Sequence, residues 1–442
     1  MELETLAVLM IVGLLLFLML GYPVAFTLGA VGLIFGMIGF GFDFFNLLPL
    51  RIYGVMTNYT LLAIPLFVFM GVMLERSGLA EDLLETMGLL FGRMRGGLAI
   101  SVVVVGALLG ASTGIVGATV VTMGLLSLPT MLRRNYLPEM ATGTICASGT
   151  LGQIIPPSLV LIVLADILGI SVGAIFVAAF IPGLMLAGIF VVAIALVAFF
   201  FPNTAPAIPA EERARVSSRA LFVRAVKVLL PIGALIFAVL GSILMGLAAP
   251  TRAAGMGCVG AILITVLNGR FTLERLREVN RSTTRITCIV MMILVGAQVF
   301  GLSFRGLDGD ILVHDMLAAM PGEKWGVIAF IMGLLFFLGF FLEWIEITFI
   351  VVPIIAPALE KLGIDLLWFA IVICMNLQTS FLTPPFGWSL FFLKGVAPPE
   401  VTTGHIYRGI IPFVVLQLVR LALLLSFPEM ALWLPRLIGW YE

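Results

Sequence analysis

The sequence predicts an all-α polytopic membrane protein built as two inverted-topology repeats, each with a re-entrant hairpin and a proline-broken helix. Three observations predict it. The 442 residues are 62% hydrophobic and only 11% charged, whereas a soluble domain holds about 45–50% apolar and about 25% charged residues. Apolar runs close to the ~20 residues that span a bilayer recur along the chain. Two double prolines, Pro156–Pro157 and Pro384–Pro385, interrupt two of those runs.

The elements follow in order. The first run, 5–20, comes after an acidic start with Glu2 and Glu4, and no Lys or Arg precedes Arg51. A secretory signal has a basic n-region, so this run is read as a retained helix. Further spans are read at 23–40, 59–75, 140–165, 172–201, 229–249, 253–268, 286–304, 366–393 and 408–427. Segments 42–58 and 269–285 are amphipathic and are read as bracing arms lying in the interface. Runs 98–130 and 326–358 do not fit one crossing, because each has a weak centre: "GASTG" at 110–114 and "LEWIE" at 342–346. They are read as hairpins that enter the membrane and return to the same side, which is tolerated where protein or an aqueous cavity covers the backbone.

The domain reading is a first repeat at 1–201, a polar and then basic cytoplasmic linker at 202–228, a second repeat at 229–427 and a periplasmic tail at 428–442. With both termini periplasmic, seventeen Lys and Arg lie inside, six lie outside and Arg420 falls within a span. That is a positive-inside bias, and making each hairpin a full crossing scrambles it. The zero net charge selects no soluble partner, and no nucleic acid is expected. The four cysteines all lie in apolar runs without paired spacing and are read as free buried thiols.

The repeat is visible in spacing. Pro129 to Pro156 is 27 residues, and Pro357 to Pro384 is 27. The hairpin centres Gly110 and Gly339 lie 19 and 18 residues before Pro129 and Pro357. Hairpin plus broken helix therefore occurs twice, the first opening inside and the second outside. Paired interrupted segments in two inverted halves point to a transport site near the bilayer midplane. A broken helix bares carbonyls for a cation and N–H groups for an anion.

Several residues stand out against plainer readings. Ser112, Thr113 and Gly114 at the first tip supply hydroxyls and carbonyls, the oxygens a hard cation takes, although small residues also simply let helices pack. Gln153 either binds substrate or ties off the broken backbone. Gln378, Thr379, Ser380 and Thr383 before Pro384 mirror Thr150 and Gln153. Glu343 and Glu346, three apart on one helical face, are functional by default as intramembrane carboxylates, or else pair with a scaffold residue or water at the periplasmic edge. Asp166 is read as a solvated helix end. Gly29, Gly32, Gly36 and Gly39 form a packing stripe, offered to a small helical partner. His314 and His405 lie in connections and are read as solvated.

The stretches "GASTGIVGATVVTMG", "GTLGQIIPPSLVLI", "FIPGLML", "NLQTSFLTPPFGWSLFFLKGVAP" and "IYRGIIPFVVLQL" resemble the large membrane subunit of tripartite ATP-independent periplasmic (TRAP) transporters. Within that family, "FLEWIEI" and "LQTSFLTPPFG" resemble the branch labelled mannitol/chloroaromatic; related systems handle 2-oxo acids and lactate. The resemblance covers essentially the whole chain. It implies a multi-pass protein of the bacterial inner membrane that works with a four-helix small membrane subunit and a periplasmic substrate-binding protein. It also implies sodium-driven uptake of a small organic acid by an elevator motion, with no organic cofactor and no enzymatic activity. Sodium sites are implied where each hairpin tip meets its broken helix. Sodium is then assigned to Gly110, Ser112, Gly114 and Thr150 at the first contact, and to Glu343, Thr379 and Ser380 at the second. Substrate is assigned to Ser112, Thr113, Gln153, Pro156, Glu346, Gln378, Thr383 and Pro384, its charge met by helix N-termini rather than by a buried Arg. Many relatives carry a lone Asp at the second tip, where this chain has Glu343 and Glu346.

Two rivals are weighed. A self-sufficient sodium–anion symporter would share the architecture but need no binding protein. An intramembrane hydrolase using a serine of "GASTG" or "CASG" would need a base at membrane depth, and neither histidine is placed there.

Overall fold

The computed structural model describes residues 3–209, 211 and 217–441, leaving aside the side chains of Ser112, Thr113 and Ser218. Among the described residues there are twenty α-helices and no strand. Seven helices are long and apolar enough to cross a membrane, or nine if each of two bent pairs counts as one span.

α1 (Leu3–Met19) packs on α2 (Val24–Phe40), and α2 lies along α13 (Leu273–Gly306). The glycine stripe makes that approach possible. A Cβ added at Gly32 would lie 2.8 Å from the Phe300 nitrogen, and one at Gly36 would lie 2.7 Å from Ser303 Oγ. Ser303 Oγ donates to Gly32 O at 2.6 Å. The stripe offered to a small partner is thus filled by the chain's own α13.

The first arm is a 3-10 turn (Gly41–Asn46) followed by α3 (Leu48–Met56). The second arm, 269–285, is not a separate element. It forms the first half of α13, one unbroken 34-residue helix started by Thr272, whose side chain accepts from Arg275 N–H at 3.1 Å. No proline interrupts that stretch, so nothing ends the helix at the span's edge. At 1.5 Å per residue it is about 51 Å long, more than the ~30 Å hydrocarbon thickness.

α4 (Ala63–Arg76) packs on α12 (Pro250–Leu267) and on α13; α11 (Ser218–Leu244) packs on α12. These helices with α1–α3 form one group. The second contains α6 (Gly97–Thr113), α7 (Val116–Arg133), α8 (Pro138–Thr150), α9 (Leu159–Leu168) and α10 (Val172–Phe200). It is completed by α15 (Glu323–Leu338), α16 (Trp344–Lys361), α17 (Leu366–Leu382), α18 (Trp388–Val396), α19 (Thr403–Ser426) and α20 (Glu429–Leu437). Each half of the sequence contributes to both groups, so the halves are not separate bodies. Two helices read as connections link the groups. α5 (Leu79–Phe91) bends 61° from α4, and α14 (Gly309–Ala318) bends 118° from α15. The charged residues Glu81, Asp82 and Glu85 kept α5 out of the apolar runs read as spans. Arg270 pairs with Asp82 at 2.9 Å and Arg224 with Glu85 at 2.6 Å, anchoring α5 to the first group. Cys288 is exposed and the other three cysteines are buried, which corrects one of the four buried-thiol expectations.

The charge bias makes a topology prediction. In a chain freed of its native cysteines, Asn203→Cys should react with an impermeant maleimide only in inside-out vesicles, and Arg252→Cys only in intact cells. Labelling of Asn203→Cys from outside would reject the topology.

Candidate functional site: two hairpin tips on two broken helices

The first break runs from α8 through a 3-10 turn at Leu151–Gln153 and the cis Pro156–Pro157 bond to α9. Prolines lack the N–H that closes a helical ladder, so carbonyls one turn back need other partners. Gln153 O receives two: Ser158 Oγ donates at 2.6 Å and Cys374 Sγ at 3.2 Å. The side chain of Gln153 is 1% exposed, and neither of its amide atoms has a partner among the described residues. It therefore does not tie off the backbone; other groups do that, and its amide is left available to a ligand.

α6 crosses this break backbone to backbone. A Cβ added at Gly152 would lie 2.4 Å from Gly110 O. α6 ends at Gly114, at φ +63°, where its N–H bonds Gly110 O at 2.8 Å. A Cβ on Gly114 would meet Leu159 N at 3.1 Å, so the first tip rests on the N-terminus of α9. Ser112 and Thr113 occupy the last turn of α6, and their side chains lie outside the described residues.

The second break follows the same plan. α17 ends at Thr383, the cis Pro384–Pro385 bond follows, and α18 begins at Trp388. Thr383 Oγ1 donates to Thr379 O at 2.7 Å. The second tip closes on it: Gly339 abuts Ser380, whose Oγ would stand 2.1 Å from an added Cβ, and the rings of Phe341 and Phe386 are 5.3 Å apart.

Glu343 and Glu346 do not share a helical face. Glu343 is the N-cap of α16, and the two carboxylates form a capping box: Glu343 N–H donates to Glu346 Oε2 at 3.0 Å, and the Glu343 side chain accepts from the Glu346 N–H. The pair satisfies donors that a helix start leaves bare. Glu346→Gln is expected to leave the thermal midpoint unchanged, since Gln also closes such a box. Glu343→Ala should lower stability by about 1 kcal/mol, read as a lower midpoint. Lost uptake by Glu346→Gln at an unchanged midpoint would make the charge, not the cap, the role of the pair.

The two breaks touch each other. Gln378 Nε2 donates to Thr150 Oγ1 at 3.2 Å; both residues stand six positions before the first proline of their pair. Cys146 and Cys374 are likewise equivalent, each ten before. Cys374 reaches the first break at Gln153, and Ser389 at the second break donates to Cys146 O at 3.0 Å. The second arm of each hairpin packs on the far half of the other broken helix, α7 on α18 and α16 on α9.

The hydroxyls at these positions donate inward, Thr150 to Ala147 O at 2.9 Å, Thr379 to Met375 O at 2.8 Å and Ser380 to Leu377 O at 2.8 Å. With the proton engaged, oxygen lone pairs remain to face a cation. Gln378 Oε1 is buried without a partner among the described residues. The described residues hold no group of three His, Cys, Asp or Glu suited to a metal. Neutral hydroxyl, amide and carbonyl oxygens form a donor set that fits a hard cation such as sodium rather than a transition metal.

Other polar residues take different places. Asp166 is half-buried and accepts from Asn58 Nδ2 at 2.7 Å, so it is not a freely solvated end. His405 caps α19 with Thr402, and His314 lies in α14. Sequence reasoning passed over Asn376, which donates to Met332 O at 2.8 Å and ties α17 to α15, and Glu75, which accepts from Thr122 Oγ1 at 3.1 Å across the two helix groups. It also passed over the burial of Arg420 and Gln417. A polar residue inside an apolar run was the available signal for all of them.

Known proteins are similar to this chain in sequence and in fold. The family model described as "Tripartite ATP-independent periplasmic transporter, DctM component" matches residues 11–430. The chain is 31% identical to a Pseudomonas aeruginosa C4-dicarboxylate TRAP transporter large permease protein, over 89% of this chain and 90% of the relative. It is 28% identical to a sialic acid TRAP large permease of Vibrio cholerae (95% and 96% covered) and 28% to an ectoine TRAP large permease of Halomonas elongata (97% and 98%). In fold it is similar to the crystal structure of the Alcanivorax borkumensis YdaH transporter, with a TM-score of 0.63 at 14% identity, covering 95% of this chain and 98% of that one.

Proposed function

Since the chain belongs to the DctM-component family of tripartite ATP-independent periplasmic transporters, we propose that it imports a small organic acid in symport with sodium by an elevator motion. As a TRAP large permease it is a multi-pass protein of the bacterial inner membrane and a transport component, not an enzyme. It works with a small membrane subunit and a periplasmic substrate-binding protein, the other two parts of a tripartite system. The mannitol/chloroaromatic branch gains no support from relatives named for C4-dicarboxylate, sialic acid and ectoine. The substrate class therefore stays at a small organic acid.

The observation that carries the mechanism is the meeting of two tips and two breaks through the Thr150–Gln378 contact. The order from α4 to α10 repeats from α13 to α19, and the charge bias sets the first hairpin opening inside and the second outside, so the halves are inverted. Sodium takes oxygens of Gly110, Ser112, Gly114 and Thr150 on one side, and of Thr379 and Ser380 on the other. The acid lies between the tips, against Thr113, Gln153, Gln378 and Thr383, with Pro156 and Pro384 holding the breaks open. The group of α6–α10 and α15–α20 moves, and the group of α1–α4 and α11–α13 stays. Each net positive charge carried inward gains ~2.3 kcal/mol per 100 mV.

Thr379→Val, which keeps shape and removes the hydroxyl, tests this reading. Its half-saturating sodium concentration for uptake should rise about tenfold, equivalent to ~1.4 kcal/mol, with expression unchanged. An unchanged sodium dependence for Thr379→Val and for Ser380→Ala would leave these positions as packing only.

A further inference from the structure

Arg420 of α19 is 0% exposed, and so is Gln417 one turn before it. The guanidinium has no carboxylate within ion-pair distance among the described residues. Nη1 lies 3.3 Å from Met430 Sδ, Nη2 lies 3.9 Å from Met185 Sδ, and Nε has no partner. Both amide atoms of Gln417 are also without a partner among the described residues. Arginine cannot shed its proton in a protein, and sulfur is a weak acceptor. A buried guanidinium and a buried amide left this way are strongly disfavoured unless something supplies an acceptor. The planar fork of Arg fits an oxyanion, two oxygens at a time.

The position is as informative as the chemistry. The stretch of α10 that meets Arg420 through Met185 also meets the first break: a Cβ added at Gly183 would lie 3.0 Å from Ile155 Cγ1 and 3.4 Å from Ile154 O. Gly183 and Met185 stand two positions apart and so face opposite sides of α10: Arg420 lies across α10 from the first break, where α19 meets α10 and α20, inside the helix group proposed to move. Met185 is 40% exposed, so the guanidinium lies one side chain beneath the molecular surface. Methionine, with its unbranched and adaptable side chain, is a cover that a ligand can displace.

We propose that Arg420 and Gln417 form an oxyanion-binding site between α10, α19 and α20, covered by Met185 and Met430. The oxyanion is a phosphate, as on a phospholipid headgroup, or a carboxylate, as on the transported acid at a second position away from the tips, which would revise the expectation that no buried Arg meets the acid's charge. The carboxylate assignment rests on the transport reading; the site itself does not.

The test uses the full chain purified with its small subunit, and the variants Arg420→Met and Gln417→Leu, whose side chains suit a pocket already lined by methionine. Thermal midpoints are measured with succinate, with inorganic phosphate and with phosphatidylglycerol, and retained phospholipid is counted by native mass spectrometry. A carboxylate site predicts that succinate raises the wild-type midpoint and leaves Arg420→Met unmoved. A lipid site predicts that wild type retains phosphatidylglycerol at least tenfold more than Arg420→Met. A response to inorganic phosphate that Arg420→Met lacks also supports the site. If Arg420→Met does not fold, Gln417→Leu is expected to weaken the same response. The proposal is overturned if none of the three probes acts on wild type, or if the variants respond as wild type does. Sodium-driven uptake is scored separately, so its absence would sink the transport reading without deciding this one.

Discussion

Gly152→Val is expected to abolish uptake, with a loss of at least a hundredfold. A Cβ at this position would stand 2.4 Å from Gly110 O and 2.5 Å from Gly110 Cα. These are backbone atoms of α6, which cannot rotate aside as a side-chain end can. The first tip would have to lift from its break, and the oxygens gathered there would separate by more than the few tenths of an ångström that ion coordination tolerates. Gly110→Val should act the same way from the other face, since its Cβ would meet Gly152 N at 2.7 Å. Gly188→Ala is the control: nothing lies within 4 Å of a Cβ there, and alanine favours a helix by about 1 kcal/mol over glycine. Uptake is measured in liposomes holding all three components, and folding is followed by gel filtration and thermal midpoint. Wild-type uptake by Gly152→Val would show that the close crossing of α6 and the break does not matter for transport.

The second large effect concerns the partners. In liposomes with sodium high outside, uptake is expected only with the small subunit in the membrane and the loaded binding protein outside. Omitting either should cut the rate at least a hundredfold. A site that must release its cargo to the cytoplasm on every cycle cannot hold it tightly. High apparent affinity then has to come from the soluble partner that captures the acid first. Robust sodium-driven uptake of free acid by this polypeptide alone would instead establish a self-sufficient symporter.

The sequence by itself determined the class of protein and the places where its helices break. Apolar run length, proline pairs and the one-sided arginines are local or compositional properties. They act on the chain before any tertiary contact forms, so the spans, the hairpins around Gly114 and "LEWIE", and the breaks at Pro156 and Pro384 are all legible. It could show that Gly29 to Gly39 make a smooth face, but not that α13 covers that face. Amphipathic segments were harder. The acidic α5 fell outside the apolar runs and the basic start of α13 looked like a separate arm, because charge pattern does not fix where a helix ends when capping and tertiary pairing, as with Arg270 and Asp82, decide it. Only the tertiary structure joined Thr150 to Gln378 across 228 positions, turned Glu343 and Glu346 into a cap, and, among the described residues, left the Gln153 amide bare and buried Arg420 without an acid. Each of those facts depends on which helix faces pack together. Helical periodicity states what a face is made of; only packing decides what it meets.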